Sequence, residues 1–368
     1  HSQLGFLYSS MNDFDNALKS YKKAISIKPK DPFFHQNIAE LYSRLNQIDK
    51  AIKHFNLAID LDPKHFNSYN SLGNLYKKTG ELRKAIDSIS KALQILESNE
   101  VNDNYSYAYT LKNMGWAYQE IRNFSEAKKY FKKAVKFQRD LFGDKSIEYL
   151  EASSALAGFY MNFQKLEEAS SVFSRSLAIQ SEMTGENNEF YADMLANLGM
   201  IATIQGKYDI GESYLIDSSK IKEQFADKNK DNLIINYVGL VMLYMFINSI
   251  DKAEEYLKKY SVIARKTFGE ESLGYADSIN ILGMLSGANN DYDREFELSE
   301  KVMKIYKKLG NTSADGYSRN LLNMAHSSFK LGDIEQAKDI SEKLLNHPDK
   351  AHRGSVHGLL AEISISLN

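Results

Sequence analysis

Apolar and small side chains recur along this chain in two superposed rhythms, one of about four residues and one of several dozen. In residues 66–96, Leu72, Gly73 and Tyr76 share one helical face. Thr79-Gly80-Glu81 interrupts the pattern, and Ala85, Ile89 and Ala92 then resume it. The spacing predicts two amphipathic helices joined by a tight turn. Small residues stand where two helix backbones approach closely, and large ones fill the space beside them.

The pattern repeats in phase. The Gly73 position recurs as Gly5, Ala39, Gly115, Ala157, Gly199, Val241, Gly283 and Ala325, first at intervals of 34 residues and then of 42. Twelve residues after each comes a second small position: Ala17, Ala51, Ala85, Ala127, Ala169, Gly211, Ala253, then Glu295, then Ala337. Three after the first lies a mostly aromatic column, Tyr8, Tyr42, Tyr76, Tyr118, Tyr160, Ala202, Tyr244, Ser286 and Ser328. Chance does not hold three such columns in register over nine units.

This alternation resembles the tetratricopeptide repeat, a helix–turn–helix unit of 34 residues. Pro29 and Pro63 match the proline that ends the second helix in that family, and Asp31-Pro32 and Asp62-Pro63 read as turns between units. After about residue 97 each unit gains eight residues, roughly two helical turns, in a form that resembles the kinesin light chain type. Gly143, Gly185, Gly269 and Gly310 are placed to cap the lengthened second helices in the left-handed conformation. Tyr107, Tyr149, Tyr191, Leu233, Tyr275 and Tyr317 then recur at the start of the next helix. The resemblance implies an all-α fold, a right-handed α-solenoid of about nine repeats over residues 1–350. Residues 351–368 form a capping helix or the start of a further repeat. The unit around Gly283 departs from the pattern, with Ser286, Glu295 and Ser299 at core positions, and is expected to pack loosely or bend the array.

Composition narrows the function. The chain contains no cysteine, which excludes disulfides, thiolate catalysis and cysteine-ligated metals. Net charge is −2, but residues 1–140 hold 22 Lys+Arg against 15 Asp+Glu (+7), leaving −9 for the remainder. That asymmetry can orient a charged partner, yet it lacks the dense basic stripe of a nucleic-acid binder. No apolar run reaches the ~18–20 residues of a membrane span. The expected setting is cytoplasmic. The chain opens on His1 in mid-repeat, so a fragment of a longer protein is expected.

Catalytic constellations are not found. There is no glycine-rich phosphate loop, Gly-x-Ser-x-Gly or His-Glu-x-x-His. His347, His352 and His357 fall on different helical faces, and adjacent pairs such as Glu167-Glu168 diverge. No metal, cofactor or enzymatic activity is expected. Lys128, Lys129, Lys132, Lys133 and Lys136 lie opposite Ala127, Phe131 and Ala134, as a solvated outer face would.

The resemblance places first helices on a concave inner wall. Two residues before each small position stand Asn37, Ser71, Asn113, Ala155, Asn197, Gly239, Ile281 and Asn323. Asparagine here resembles the ladder by which several tetratricopeptide proteins hold an extended peptide, since a primary amide both donates and accepts. One residue after each small position stand Glu40, Asn74, Trp116, Gly158, Met200, Met242, Met284 and His326. Asn70 adds a further amide one turn before Asn74. Tryptophan suits a binding hot spot and methionine an adaptable apolar surface. The expected peptide-binding set is therefore Asn37, Asn70, Asn74, Asn113, Trp116, Asn197, Met200, Met242 and Asn323. The cations of a chaperone-tail clamp are missing around Gln36, Asn67 and Ser71. The function so implied is a non-catalytic scaffold that binds an extended peptide or helix of a protein partner, or of a domain of the same full-length chain. The alternative is a peptide-responsive sensor module of a larger signalling protein, or the regulatory array of a fused enzyme.

Overall fold

The computed structural model describes residues 1–98, 103–225, 230–311, 315–347 and 352–366. The division expected at 350/351 lies outside them. The chain forms two compact units, His1–Met183 and Thr184–Asn368. In the first, helices alternate as α1 (Ser2–Ser10), α2 (Phe14–Ile27), α3 (Pro32–Arg44), α4 (Ile48–Leu61), α5 (Phe66–Lys78), α6 (Leu82–Glu97), α7 (Asn104–Glu120), α8 (Phe124–Phe142), α9 (Ile147–Asn162) and α10 (Leu166–Thr184). The second contains α11 (Glu189–Ile204), α12 (Tyr208–Gln224), α13 (Lys230–Phe246), α14 (Ile250–Phe268), α15 (Leu273–Ala288), α16 (Tyr292–Lys308), α17 (Asp315–Lys330), α18 (Ile334–Leu345) and α19 (Arg353–Ser366). The fold is all-α, a tetratricopeptide solenoid of paired helices.

The turn inside each pair explains the regularity. One residue per turn has positive φ: Asn12, Asn46, Gly80, Arg122, Gln164, Gly206, Asn248, Asn290 and Gly332. These repeat at the same intervals of 34 and then 42 as the small columns. The next residue's N–H reaches back to the carbonyl of the aromatic column, as from Asp13 to Tyr8 at 2.9 Å and from Glu81 to Tyr76 at 2.8 Å. This six-to-one bond satisfies a carbonyl that the helix end leaves open. Asn and Gly tolerate the left-handed conformation; Arg122 and Gln164 adopt it at a cost. Between lengthened repeats, Gly143, Gly185 and Gly269 also take positive φ. Three residues after each, Ser146, Asn188 and Ser272 cap the next helix by accepting from the N–H of Tyr149, Tyr191 and Tyr275.

Packing within a pair depends on the two small columns. A Cβ placed on Gly73 would meet the Ala85 carbonyl oxygen at 3.1 Å and Ile89 at 2.5 Å; one on Gly199 would meet the Gly211 oxygen at 3.1 Å. At Gly283 the nearest atom is the Glu295 oxygen at 3.7 Å, and Ser299 stands where Ile89 or Leu215 fills the other pairs. The two helices thus leave room for a Cβ at Gly283, while Ser286, Glu295 and Ser299 remain buried between them.

From α1 to α9, and again from α11 to α19, each helix packs on the one before it. Neighbouring odd helices also touch, as α3 with α5 and α15 with α17, whereas no such packing joins even helices among the described residues. The odd helices therefore line the inner side of each stack.

Candidate protein-interaction surface

The inner face of the first unit is polar. On α5 and α7, Asn113 is 1% exposed and donates to Asn70 Oδ1 at 2.9 Å. Asn70, 4% exposed, donates in turn to Thr110 Oγ1 at 2.9 Å, whose hydroxyl bonds the Ser106 carbonyl at 2.7 Å. The same bond recurs elsewhere. Asn37 donates to Ser2 Oγ at 3.0 Å, and Asn323 to Asn280 Oδ1 at 3.2 Å. In all three, an amide two residues before the small column crosses to the preceding odd helix. This corrects the reading of Asn70 and Asn113 as peptide contacts: their amides are buried and tie one inner helix to the next. Asn37 and Asn323 are half-buried and keep part of their surface.

In front of that tie lie the accessible groups. Asn74 is half-buried, its amide 3.4 Å from the Tyr109 hydroxyl. Trp116 rests edge-on against Phe131, and the Lys77 ammonium sits 5.4 Å from its ring centre. Burial lowers the Lys77 pKa, opposed by the nearby Glu120 carboxylate. On α9, Gly158 occupies the position equivalent to Trp116, and a Cβ there would meet nothing within 4 Å.

The second unit presents a different face. Asn197 turns its amide onto its own helix, bonding the Asp193 carbonyl at 2.8 Å. Met200 is partly buried against the core of α12–α14. Met242 is 45% exposed, and Ile204, Ile235, Phe246 and Met284 on the same odd helices are also exposed. Lys77, Tyr109, Ile204, Ile235 and Phe246 were not among the expected residues. They lie about one turn before or after the two columns read along each inner helix, and extending those columns by helical spacing reaches them.

Elsewhere the chemistry is occupied. Lys128 stacks over Phe124 and Tyr160, Lys129 pairs with Glu126 at 2.9 Å and Lys133 with Glu97 at 2.6 Å. Among the described residues, no three His, Asp or Glu side chains come together as a metal site would need. No helix among the described residues is long and apolar enough to cross a membrane.

Profiles described as tetratricopeptide or TPR repeat match residues 1–31, 20–53, 40–80 and 65–140. Residues 1–140 are thus tetratricopeptide repeats, and the helix pairs that follow share their fold. No curated protein matches this tetratricopeptide array. Among solved structures, it is similar to a signal transduction ATPase with numerous domains, with a tetratricopeptide repeat sensor, from Pyrococcus horikoshii. The identity there is 17% and the TM-score 0.59, over 96% of this chain and 52% of that one. Kinesin light chain TPR-like repeats of Podosopora anserina are 18% identical over 56% of this chain and 97% of that one, with a TM-score of 0.47. YrrB, a TPR protein with an unusual peptide-binding site, is 21% identical over 56% and 94%, with a TM-score of 0.37. At these identities the likeness is one of fold. A protein-interaction scaffold is the general role that the repeat family supports for this array.

Proposed function

We propose that the array is a non-catalytic scaffold that holds segments of a protein partner against the inner faces of its odd helices. The observation that carries this reading is the set of large inner-face side chains that the core does not consume. Met242, Phe246, Ile235 and Met284 remain exposed in the second unit, and Trp116 with Lys77, Asn74 and Tyr109 forms a half-open patch in the first. Exposed apolar surface gathered on one face marks an interaction site. Asn37, Asn197, Met200 and Asn323 belong to the rim of these surfaces in this reading, while Asn70 and Asn113 hold the helices that carry Asn74 and Trp116.

A photo-crosslinking amino acid placed at Met242 or Trp116 tests it, with outward-facing Lys132 and Lys258 as comparison sites. Partner adducts confined to the two inner positions are expected. Adducts at all four sites in equal yield would refute an inner-face scaffold.

The sensor reading draws on the α15–α16 pair, where buried Glu295 and Ser299 replace the apolar filling of other pairs and lower the cost of local opening. Under it, partner addition compacts the chain in solution scattering; an unchanged envelope favours a static scaffold.

A further inference from the structure

Where the inner helices α7 and α9 end side by side, a pocket of about 360 Å³ is lined by Gln119, Glu120, Arg122, Asn162 and Phe163. Its size falls within the roughly 300–1,000 Å³ of small-molecule sites, but such sites are mostly apolar, and here only Phe163 is. Little of that polarity is used within the fold. Gln119 Oε1 is buried and has no hydrogen-bond partner, a state that folded proteins seldom leave unfilled. Arg122 and Asn162 are exposed, and among the described residues no hydrogen bond or ion pair engages either side chain. Glu120 feels the Lys77 ammonium, which lies over the Trp116 ring, and forms no ion pair with it or with Arg122. Arg122 is also held in place at a cost. Its φ is 57°, and Asn or Gly fills the same position in seven of the nine turns. A β-carbon is disfavoured in that conformation, so the turn by itself does not ask for arginine.

We propose that this pocket binds a free α-amino acid as its zwitterion, with the ammonium between Glu120 and Gln119 Oε1 and the carboxylate on Arg122 and Asn162. Charge selects the occupant. A carboxylate and a guanidinium two residues apart are not spent on each other, and the charge-assisted bonds they can make are the strong ones. A simple anion meets Glu120 and the bare Gln119 oxygen, and a simple cation meets Arg122. The carbonyl ends of α7 and α9 favour the ammonium as well. An internal peptide segment carries neither charge and a peptide terminus only one, so this ligand is distinct from partner segments held against the inner faces. One turn before Asn162, Gly158 leaves open space for the ligand's side chain, since a Cβ there would meet nothing within 4 Å.

Isothermal titration calorimetry on the full chain tests it, with L-leucine, L-glutamine and L-phenylalanine as probes. Each is compared with its carboxamide, which lacks the anion, and with its des-amino acid, which lacks the cation. At least one parent amino acid is expected to bind, and both of its truncated forms to bind roughly tenfold or more weakly. Glu120→Gln should weaken the parent and abolish the preference over the des-amino acid. Arg122→Gly should weaken it and abolish the preference over the carboxamide. The fold is kept in that variant, because glycine suits the left-handed position. No binding of any of the three zwitterions at millimolar concentration, equal binding of the truncated forms, or full affinity in Arg122→Gly overturns the proposal. So does binding of inorganic phosphate that no zwitterion displaces, which makes the pocket an anion site. Each of these outcomes leaves crosslinking at Met242 and Trp116, and the scaffold reading with it, untouched.

Discussion

Glu295 is the position where one substitution should make the protein more stable. In seven repeats the equivalent residue is a fully buried alanine, including Ala85, Ala127 and Ala253, and in another it is Gly211. Glu295 is 4% exposed, and its Oε2 has no hydrogen-bond partner. The His326 Nδ1 lies 3.8 Å away, beyond hydrogen-bond range. The carboxylate sits over Gly287, where a Cβ would fall 2.5 Å from Oε2. Leaving a buried charged acceptor unpaired costs on the order of 1–3 kcal/mol. Replacing Glu295 with alanine removes that penalty and gives up about one buried methylene, ~0.8 kcal/mol. The expected net gain for Glu295→Ala is about 0.2–2 kcal/mol, or up to roughly 8 °C for a cooperative unit of this size.

Repeat arrays do not melt in a single step, so the measurement must be local. Native-state hydrogen exchange should show slower opening of α15 and α16 in Glu295→Ala, with α3–α6 unchanged. Glu295→Gln, which keeps the volume and removes the charge, should recover part of the gain. Gly287→Ala should destabilise the parent protein and be tolerated in the Glu295→Ala background, because the group it collides with is gone. Faster exchange across α15–α16 in Glu295→Ala would refute the reasoning and make the carboxylate a net structural contributor.

Other outcomes follow from the same geometry. Asn113→Ala leaves the buried Asn70 Oδ1 without its donor, so it should lower the urea midpoint by a loss of about 1–3 kcal/mol; an unchanged midpoint would return Asn113 to the contact set. Gln164→Gly should raise the midpoint by about 1 kcal/mol by relieving a left-handed side-chain residue, whereas Gly80→Ala should lower it. Acid should weaken the first unit. His35 Nε2 faces the Pro29 carbonyl at 2.9 Å and must carry the proton, so its bare Nδ1 accepts from His54 Nδ1–H at 3.1 Å. Burial, followed by His35 and Lys53, lowers the His54 pKa below 6.5; burial also lowers that of His65 against Asp62 and Asp31. The unfolded chain then binds the proton more tightly, so this stability is complete above pH 6.5 and is lost as pH falls through the depressed folded values. Urea titrations at stepped pH should show that slope, reduced in His54→Gln.

The framework was legible because it is periodic. Gly73 and Ala85 must be small for the same reason in every repeat, so their columns survive drift elsewhere, and the glycines at 143, 185 and 269 announce their own backbone conformation. Arg122 and Gln164 hid the same turn, since nothing in either side chain asks for positive φ. The inner wall was harder to read. An asparagine in an inward column has the donors and acceptors to hold a peptide, but those groups serve equally to join two helices of the array. Sequence spacing fixes which face Asn113 occupies and leaves its partner open. Only the approach of α5 to α7 shows that Asn70 stands within reach and takes the bond. Apolar residues carry no such ambiguity of partner, because an exposed Met242 or Phe246 has either been covered or has not. In this array the exposed apolar inner positions therefore mark the proposed binding face more securely than the amides do, and in the first unit the Asn113–Asn70 bond joins the helices that carry Trp116 and Asn74.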